Sequence, residues 1–128
     1  MRPEARAWWN EAQVELAAAH DLFGATRYNL CAFFCPQAIE KAFKALWIIR
    51  HEEMPPKTHD VTDLGSKLGV PSEFASVLRE LNPLFVTTTN PDASNGEPAA
   101  MFDEHIARER LNEAEQVMAW YREQVDKS

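Results

Sequence analysis

The chain has 128 residues and a mass of 14.6 kDa, which suits a single domain, and its 45% hydrophobic content excludes a disordered protein. Its 13 basic and 20 acidic residues leave a net charge of -7, which argues against non-specific binding to nucleic acid or anionic membranes. The longest uncharged stretch, residues 28–39, is too short to span a bilayer. The first residues lead into an amphipathic pattern instead of a secretory apolar core. We therefore expect a cytoplasmic, non-membrane protein with residues 1–128 as one helical domain.

The first predicted element is an amphipathic helix of about five turns. Its apolar residues recur at alternating steps of four and three: Ala5, Trp9, Ala12, Leu16, Ala19 and Phe23. Gly24 follows this stripe, and glycine is suited to the left-handed conformation just past a helix C-terminus. We therefore expect the helix to end at about Phe23.

The second predicted helix, at about residues 26–52, is the longest and most apolar element. One narrow arc carries mostly small residues: Cys31, Cys35, Ala38, Ala42, Ala45 and Ile49. Pro36 lies inside the pattern and should kink the helix because it lacks a backbone donor. The two cysteines have no second cysteine pair and no suitably spaced histidine, so we interpret them as buried reduced thiols instead of a metal or redox pair.

Two short helices and a loop are predicted next. An extended connector at 54–57 and a helix-start signal at 58–60 precede a short helix that Gly69 closes. Another helix opens at Pro71, and Pro83 should kink or stop it. Residues 87–100 are predicted to form a long loop, and loops of that length are either mobile or functional.

The last predicted element is a second long amphipathic helix. The four–three pattern returns in Ala107, Leu111, Ala114, Met118, Tyr121 and Val125. No stretch of the sequence alternates as a strand would. The predicted fold is all-α, a five-helix up-and-down bundle with two long antiparallel helices and short capping helices.

Several segments in order along the chain resemble one family. They are Ala7-Trp8-Trp9 in the first helix, Gln37-Ala38-Ile39-Glu40-Lys41-Ala42-Phe43-Lys44-Ala45-Leu46 in the second, Lys57-Thr58-His59-Asp60-Val61 in the following turn, and Ala114 with Trp120 in the last helix. Together they resemble the HEPN family (higher eukaryotes and prokaryotes nucleotide-binding domain) over nearly the whole chain. Its members carry a run like Gln-Gln-Ala-x-Glu-Lys-Ala-x-Lys-Ala-Leu in the second helix and Lys-Thr-His-Asp-Leu in the turn.

The resemblance implies partners. Single-domain proteins similar to this one are typically encoded beside a minimal nucleotidyltransferase, and the two form a toxin–antitoxin-like or substrate-binding pair. It also implies a homodimer, for which the broad apolar arc of the second helix offers more surface than one neighbour would cover. We therefore expect a HEPN-like binding module, the non-catalytic partner of a minimal nucleotidyltransferase.

The sequence departs from the family pattern at two places. Pro36 replaces the first of the paired glutamines, and Thr89-Asn90-Pro91 stands where members often carry Arg-Tyr-Pro. Ribonuclease members of the wider superfamily also have an arginine four to six residues before a catalytic histidine, and no arginine has that spacing here. No catalytic residue is therefore assigned. The alternative is an RNA-cleaving member with a degenerate Arg/His site, in which His59 and Lys57 are the plausible catalytic groups.

Two groups of residues are candidates for binding a ligand or partner. The first is a polar stripe on one face of the second helix: Gln37, Glu40, Lys41 and Lys44. It either presents ammonium groups to phosphate or is a solvated face with an i,i+4 ion pair. The second is the turn Lys57, Thr58, His59 and Asp60, which either binds an anion at a helix start or caps that helix.

We predict a phosphate-bearing ligand, a nucleotide or RNA, between the stripe and the turn. No metal-binding, P-loop, dinucleotide-binding or nucleophile-elbow motif is present, so no metal or cofactor is expected. Trp9 lies on the apolar stripe of the first helix, whereas Trp8 lies beside it and would act as a contact anchor if exposed.

Overall fold

A computed structural model of the chain describes residues 1–87 and 102–127. Over these residues it contains five α-helices and no strand, which confirms the predicted all-α class. The helices are α1 (Pro3–Gly24), α2 (Tyr28–His51), α3 (Val61–Leu68), α4 (Ala75–Thr87) and α5 (Glu104–Asp126), with a short 3-10 helix at Ser72–Phe74 before α4. The predicted loop at 87–100 lies outside the described residues except for Thr87, the last residue of α4.

Helices α1 and α2 pack antiparallel, as predicted for a long helical pair. Their side-chain contacts step in opposite directions along the two helices: Phe23 with Tyr28, Glu15 with Lys41, and Trp8 with Lys44. The three residues between the helices leave no room for another arrangement of consecutive, closely packed helices.

Helix α5 is a third long helix, and it runs parallel to α2. Phe43 packs edge-on against Trp120, and further along both helices Arg50 donates a hydrogen bond to Gln124. Of the three long helices, α2 and α5 therefore run in one direction and α1 runs in the opposite one, while α3 and α4 pack against α2.

The small residues of α2 explain how α1 and α5 approach it closely. Five residues of the arc are completely buried in one core: Cys31, Cys35, Ala38, Ala42 and Ala45. The sixth, Ile49, is half-buried. Both cysteines are reduced, and the Cys35 thiol donates to the Cys31 carbonyl over 3.4 Å. The predicted buried thiols are confirmed, and the apolar arc, which was expected to exceed the surface that one neighbour covers, has two neighbours, α1 and α5, within the same chain.

Helix ends agree only in part with the sequence signals. Asp60 caps α3 and Gly69 closes it in the left-handed region (φ 76°), as predicted. Gly24, however, is the last residue of α1, and Thr26 takes the left-handed conformation instead (φ 63°). Pro83 does not stop α4, which continues to Thr87.

None of the helices in the described part of the chain combines the length and the apolarity needed to cross a membrane.

Candidate functional site

The two predicted groups meet at a buried carboxylate. Glu40 on α2 is 3% exposed, and Lys44, one turn later, is 6% exposed. Glu40 Oε2 accepts a hydrogen bond from Lys44 Nζ over 3.1 Å, and Glu40 Oε1 accepts one from His59 Nδ1 over 3.0 Å. The interpretation of the stripe as a solvated face is therefore wrong for this pair, which lies inside the protein.

The bond from His59 to Glu40 sets the chemistry of the imidazole. A carboxylate only accepts hydrogen bonds, so the proton of that bond is on Nδ1 of His59. The other ring nitrogen, Nε2, is then the acceptor of the neutral ring and becomes a donor when the ring is protonated. Because the His59 side chain is 73% exposed, the imidazole can meet a ligand from outside.

A cavity of about 550 Å³ opens beside this cluster, within the size range of small-molecule sites. Its walls come from α1, α2 and the connector between α2 and α3: Trp8, Lys44, Met54, Pro55, Pro56, Lys57, Thr58 and His59. Lys44 Nζ lies 5.2 Å from the centre of the Trp8 ring, which stabilises the ammonium in this apolar setting. The described lining therefore joins an apolar wall to three side chains that carry or can carry positive charge.

Lys41 and Gln37 do not line this cavity. Lys41 turns towards α1, where its Nζ lies 3.1 Å from both carboxylate oxygens of Glu15. Burial raises the pKa of Glu15 despite this ammonium. Gln37 is half-buried one turn before Glu40 and is absent from the cavity lining. The stripe is thus divided between a helix–helix bridge and the cavity.

Asp60 has the capping role that was the alternative for the turn. Its Oδ1 accepts from the Asp63 backbone N–H over 3.0 Å and from Asn82 Nδ2 over 2.6 Å. The bond from Asn82, then the one from Asp63, holds the pKa of Asp60 below its ordinary value. Thr58 belongs to both the turn and the cavity. Its Oγ1 accepts a hydrogen bond from the Asp60 N–H over 3.1 Å, and the residue also lines the cavity.

Two parts of the site carry no signal in the sequence. The prolines and Met54 of the connector form much of the wall, and Asn82 of α4 fixes the turn by bonding Asp60 and the Val61 N–H. For Trp8 the sequence does carry a signal of a contact role, because this large aromatic residue lies beside the core stripe that carries Trp9 and not on it. The core position of Trp9 itself is visible in its stacking on Tyr121, with ring centres 4.4 Å apart.

A separate acidic cluster already contains its own cation. Glu80, Glu109 and Glu113 are the one group in the described part of the chain whose oxygens could share a metal ion. The Arg110 guanidinium pairs with all three of them, at 3.3 Å from Glu80 and 3.7 Å from Glu109. Burial raises the pKa of Glu113, which Arg110 opposes. We interpret this cluster as a structural ion-pair network.

The comparisons with known proteins agree with this architecture. A HEPN domain family model matches residues 5–124. The crystal structure of TT1696 from Thermus thermophilus is similar at a TM-score of 0.88 and 26% identity, covering 96% of this chain and 99% of that one. The crystal structure of ST0689, an archaeal HEPN homologue, has the same fold at a TM-score of 0.80 and 22% identity, covering 97% and 99%. A comparison with curated proteins finds no match.

Proposed function

This chain belongs to the HEPN domain family, and from that premise we propose that it is the non-catalytic, ligand-binding partner of a minimal nucleotidyltransferase. The two proteins would act as a toxin–antitoxin-like or nucleotide-binding pair. The proposed ligand carries phosphate and binds in the cavity between α2 and the turn before α3. The chain would act as a homodimer, in keeping with the family resemblance.

One observation carries the ligand part of the proposal. The cavity brings Lys44, Lys57 and His59 to one opening, although they come from two separate predicted groups. Ammonium groups and a protonatable imidazole are natural partners of phosphate oxygens. The Thr58 hydroxyl adds a further polar group, and the Trp8 wall suits the apolar part of a ligand.

Calorimetric titration tests this ligand. Adenosine and guanosine nucleotides and a short oligoribonucleotide are titrated into the protein, and we expect saturable heat for at least one of them. Lys57→Ala should weaken that binding about tenfold or more, because a charge-assisted hydrogen bond is lost. Lys67→Ala is the matched control, since Lys67 pairs with Asp63 on α3 outside the cavity. The absence of heat with every compound would remove the ligand proposal.

The partner part of the proposal is supported by the nature of the cavity itself. Its groups can bind and orient an anion, but the described residues include no arginine in its lining to stabilise a transferring phosphoryl group. A catalytic partner would supply that chemistry. Inspection of the flanking genes and co-purification after co-expression test the pairing. If no nucleotidyltransferase is encoded nearby and none co-purifies, the partner proposal fails.

The hydrogen bond between His59 and Glu40 favours a second candidate function, an RNA-cleaving member with a degenerate Arg/His site. A carboxylate that orients Nδ1–H leaves Nε2 placed as a general base, with Lys57 on the same cavity for phosphate. Purified protein that cleaves RNA, and loses this activity on His59→Ala while keeping its helical circular dichroism, would place this candidate first.

A further inference from the structure

We infer that the cavity selects a ligand with an apolar, ring-bearing body and a single phosphate monoester, and that it rejects the corresponding di- and triphosphates. This inference rests on the proposed function, because it specifies the ligand of the same cavity. The charges that a bound anion would meet inside the cavity and at its edge support it.

The inside of the cavity offers little uncompensated positive charge. The ammonium of Lys44 is neutralised by Glu40, whose carboxylate is buried directly beneath it at 3.1 Å. The same carboxylate holds the His59 ring at 3.0 Å. With a neutral imidazole, the cluster of Glu40, Lys44 and His59 has no net charge, and Lys57 adds one positive charge. Protonation of His59 adds one more. This balance matches a phosphate monoester, which carries between one and two negative charges near neutral pH.

The edge of the cavity carries the opposite charge. Met54 also lines a smaller hollow of about 200 Å³, whose other lining residues are Arg2, Glu4, Ile48, Glu52 and Glu53. Three carboxylates against one guanidinium leave this neighbouring hollow negative. A polyphosphate chain that extended past Met54 would therefore run towards carboxylates, in a protein whose net charge is already -7.

The apolar wall supplies the rest of the selectivity. The half-buried Trp8 indole and Pro56 ring offer apolar surface, and Met54 adds a flexible side chain. A phosphate without an apolar body would leave this surface in contact with water. A ring without phosphate would leave Lys57 without an anion.

Titration of the native chain with one nucleoside series tests the inference, in the presence of a chelator so that no divalent cation masks the charges. The compounds are adenosine, AMP, ADP, ATP and ribose 5-phosphate. We expect AMP to bind about tenfold more tightly than ATP, adenosine or ribose 5-phosphate. ATP that binds as tightly as AMP overturns this inference and leaves the proposed ligand site standing. No heat with any compound of this series overturns this inference, and no heat with the guanosine nucleotides and the oligoribonucleotide as well overturns the proposed ligand site.

A charge variant tests the edge directly. The double substitution Glu52→Gln and Glu53→Gln removes two carboxylates beside Met54 without shortening a side chain, and it should reduce the preference for AMP over ATP several-fold. Glu104→Gln, at the distant start of α5, is the control and should leave the ratio unchanged. A ratio that the double variant does not change contradicts the role of these carboxylates.

The same phosphate chemistry could belong to a free nucleotide or to the 5′ end of an RNA, and one further compound separates the two sources. A 5′-phosphorylated diribonucleotide that binds as tightly as AMP supports the inference with an RNA end as ligand. A tenfold weaker diribonucleotide supports it with a free mononucleotide.

Discussion

Glu40 and Lys44 keep two opposite charges almost out of water, an arrangement that is costly in free energy. Desolvation of such a pair cancels much of its mutual attraction, so a buried ion pair is seldom explained by stability alone. Here the carboxylate also accepts from His59, and it thereby joins α2 to the connector that forms the cavity wall. We interpret Glu40 as the residue that positions both Lys44 and His59 at the cavity, where the proposed ligand would meet them.

Removal of one partner of this pair should be far more damaging than removal of both. Glu40→Gln leaves the Lys44 ammonium buried without a counter-charge, and we expect a loss of about 3 kcal/mol in the free energy of unfolding. In the double variant Glu40→Gln with Lys44→Met most of that loss should be recovered, because no charge remains buried. Urea denaturation followed by circular dichroism measures both.

The exposed pair of Glu104 and Arg108 on α5 provides the comparison for this measurement. Glu104→Gln should lower the free energy of unfolding by less than about 1 kcal/mol, since exposed ion pairs and charges at a helix start contribute little to stability. Equal losses for Glu40→Gln and Glu104→Gln would contradict a structural dependence on the buried carboxylate.

Helix α3 shows how far local signals predict an element. The Thr-His-Asp segment and Gly69 define both of its ends correctly, because a cap and a left-handed glycine act within a few residues of the helix they limit. The signals at Gly24 and Pro83 locate their helix ends less well. α1 includes Gly24 as its last residue, and α4 continues past Pro83 to Thr87, so that of the two effects expected of this proline, a kink or a stop, only the stop is excluded.

The cap of α3 should show a defined pH dependence. Asp60→Ala should lower the free energy of unfolding by about 1 kcal/mol at pH 7, because the Asp63 N–H loses its acceptor. The folded-state pKa of Asp60 is lowered, so its ionised form stabilises the fold. That contribution is complete above the ordinary aspartate pKa of about 3.9 and is lost as the pH falls through the lowered value.

Urea titrations of the native chain and of Asp60→Ala across pH 2–7 measure this difference. The difference in the free energy of unfolding between the two proteins should become smaller as the pH falls. Asn82→Ala should move the pKa of Asp60 back up towards its ordinary value, which carboxylate chemical shifts report by NMR. A gap that widens towards acid pH would contradict the role given to Asp60.

Two helical glycines should respond to alanine in opposite directions. A Cβ on Gly65 of α3 would lie 2.6 Å from Leu78 Cδ1 and 3.2 Å from Phe43 Cε2, both in the core. We expect Gly65→Ala to cost about 1–3 kcal/mol through overpacking. A Cβ on Gly24 meets no atom within 4 Å, so Gly24→Ala should add up to about 1 kcal/mol of stability. Thermal denaturation of the two variants measures both shifts, and a stabilised Gly65→Ala would show that the core around α3 is loose.

At the scale of the whole molecule, periodicity predicts which face of each helix is buried but not which neighbour buries it. The small-residue arc of α2 was correctly placed in the core, yet α1 and α5 cover it from within the same chain. The cavity could not be predicted from the sequence for the same reason. Its walls come from α1, α2 and a connector, and only Trp8, Lys44 and the Lys57–His59 part had a local signal.

The proposed homodimer must therefore use a surface other than the buried arc, and the outer face of the first half of α2 is where we expect its interface. Leu30 is 37% exposed there, and the half-buried Phe34 lies four residues later on the same face. Light scattering at micromolar concentration should give twice the 14.6 kDa mass of one chain. Leu30→Asp should shift the protein to monomer, because it places a charge in an apolar interface. Val14→Asp is the control, since Val14 is a 60% exposed apolar residue of α1. A native chain that scatters as a monomer would contradict the dimer, and a dimer that tolerates Leu30→Asp would place its interface elsewhere.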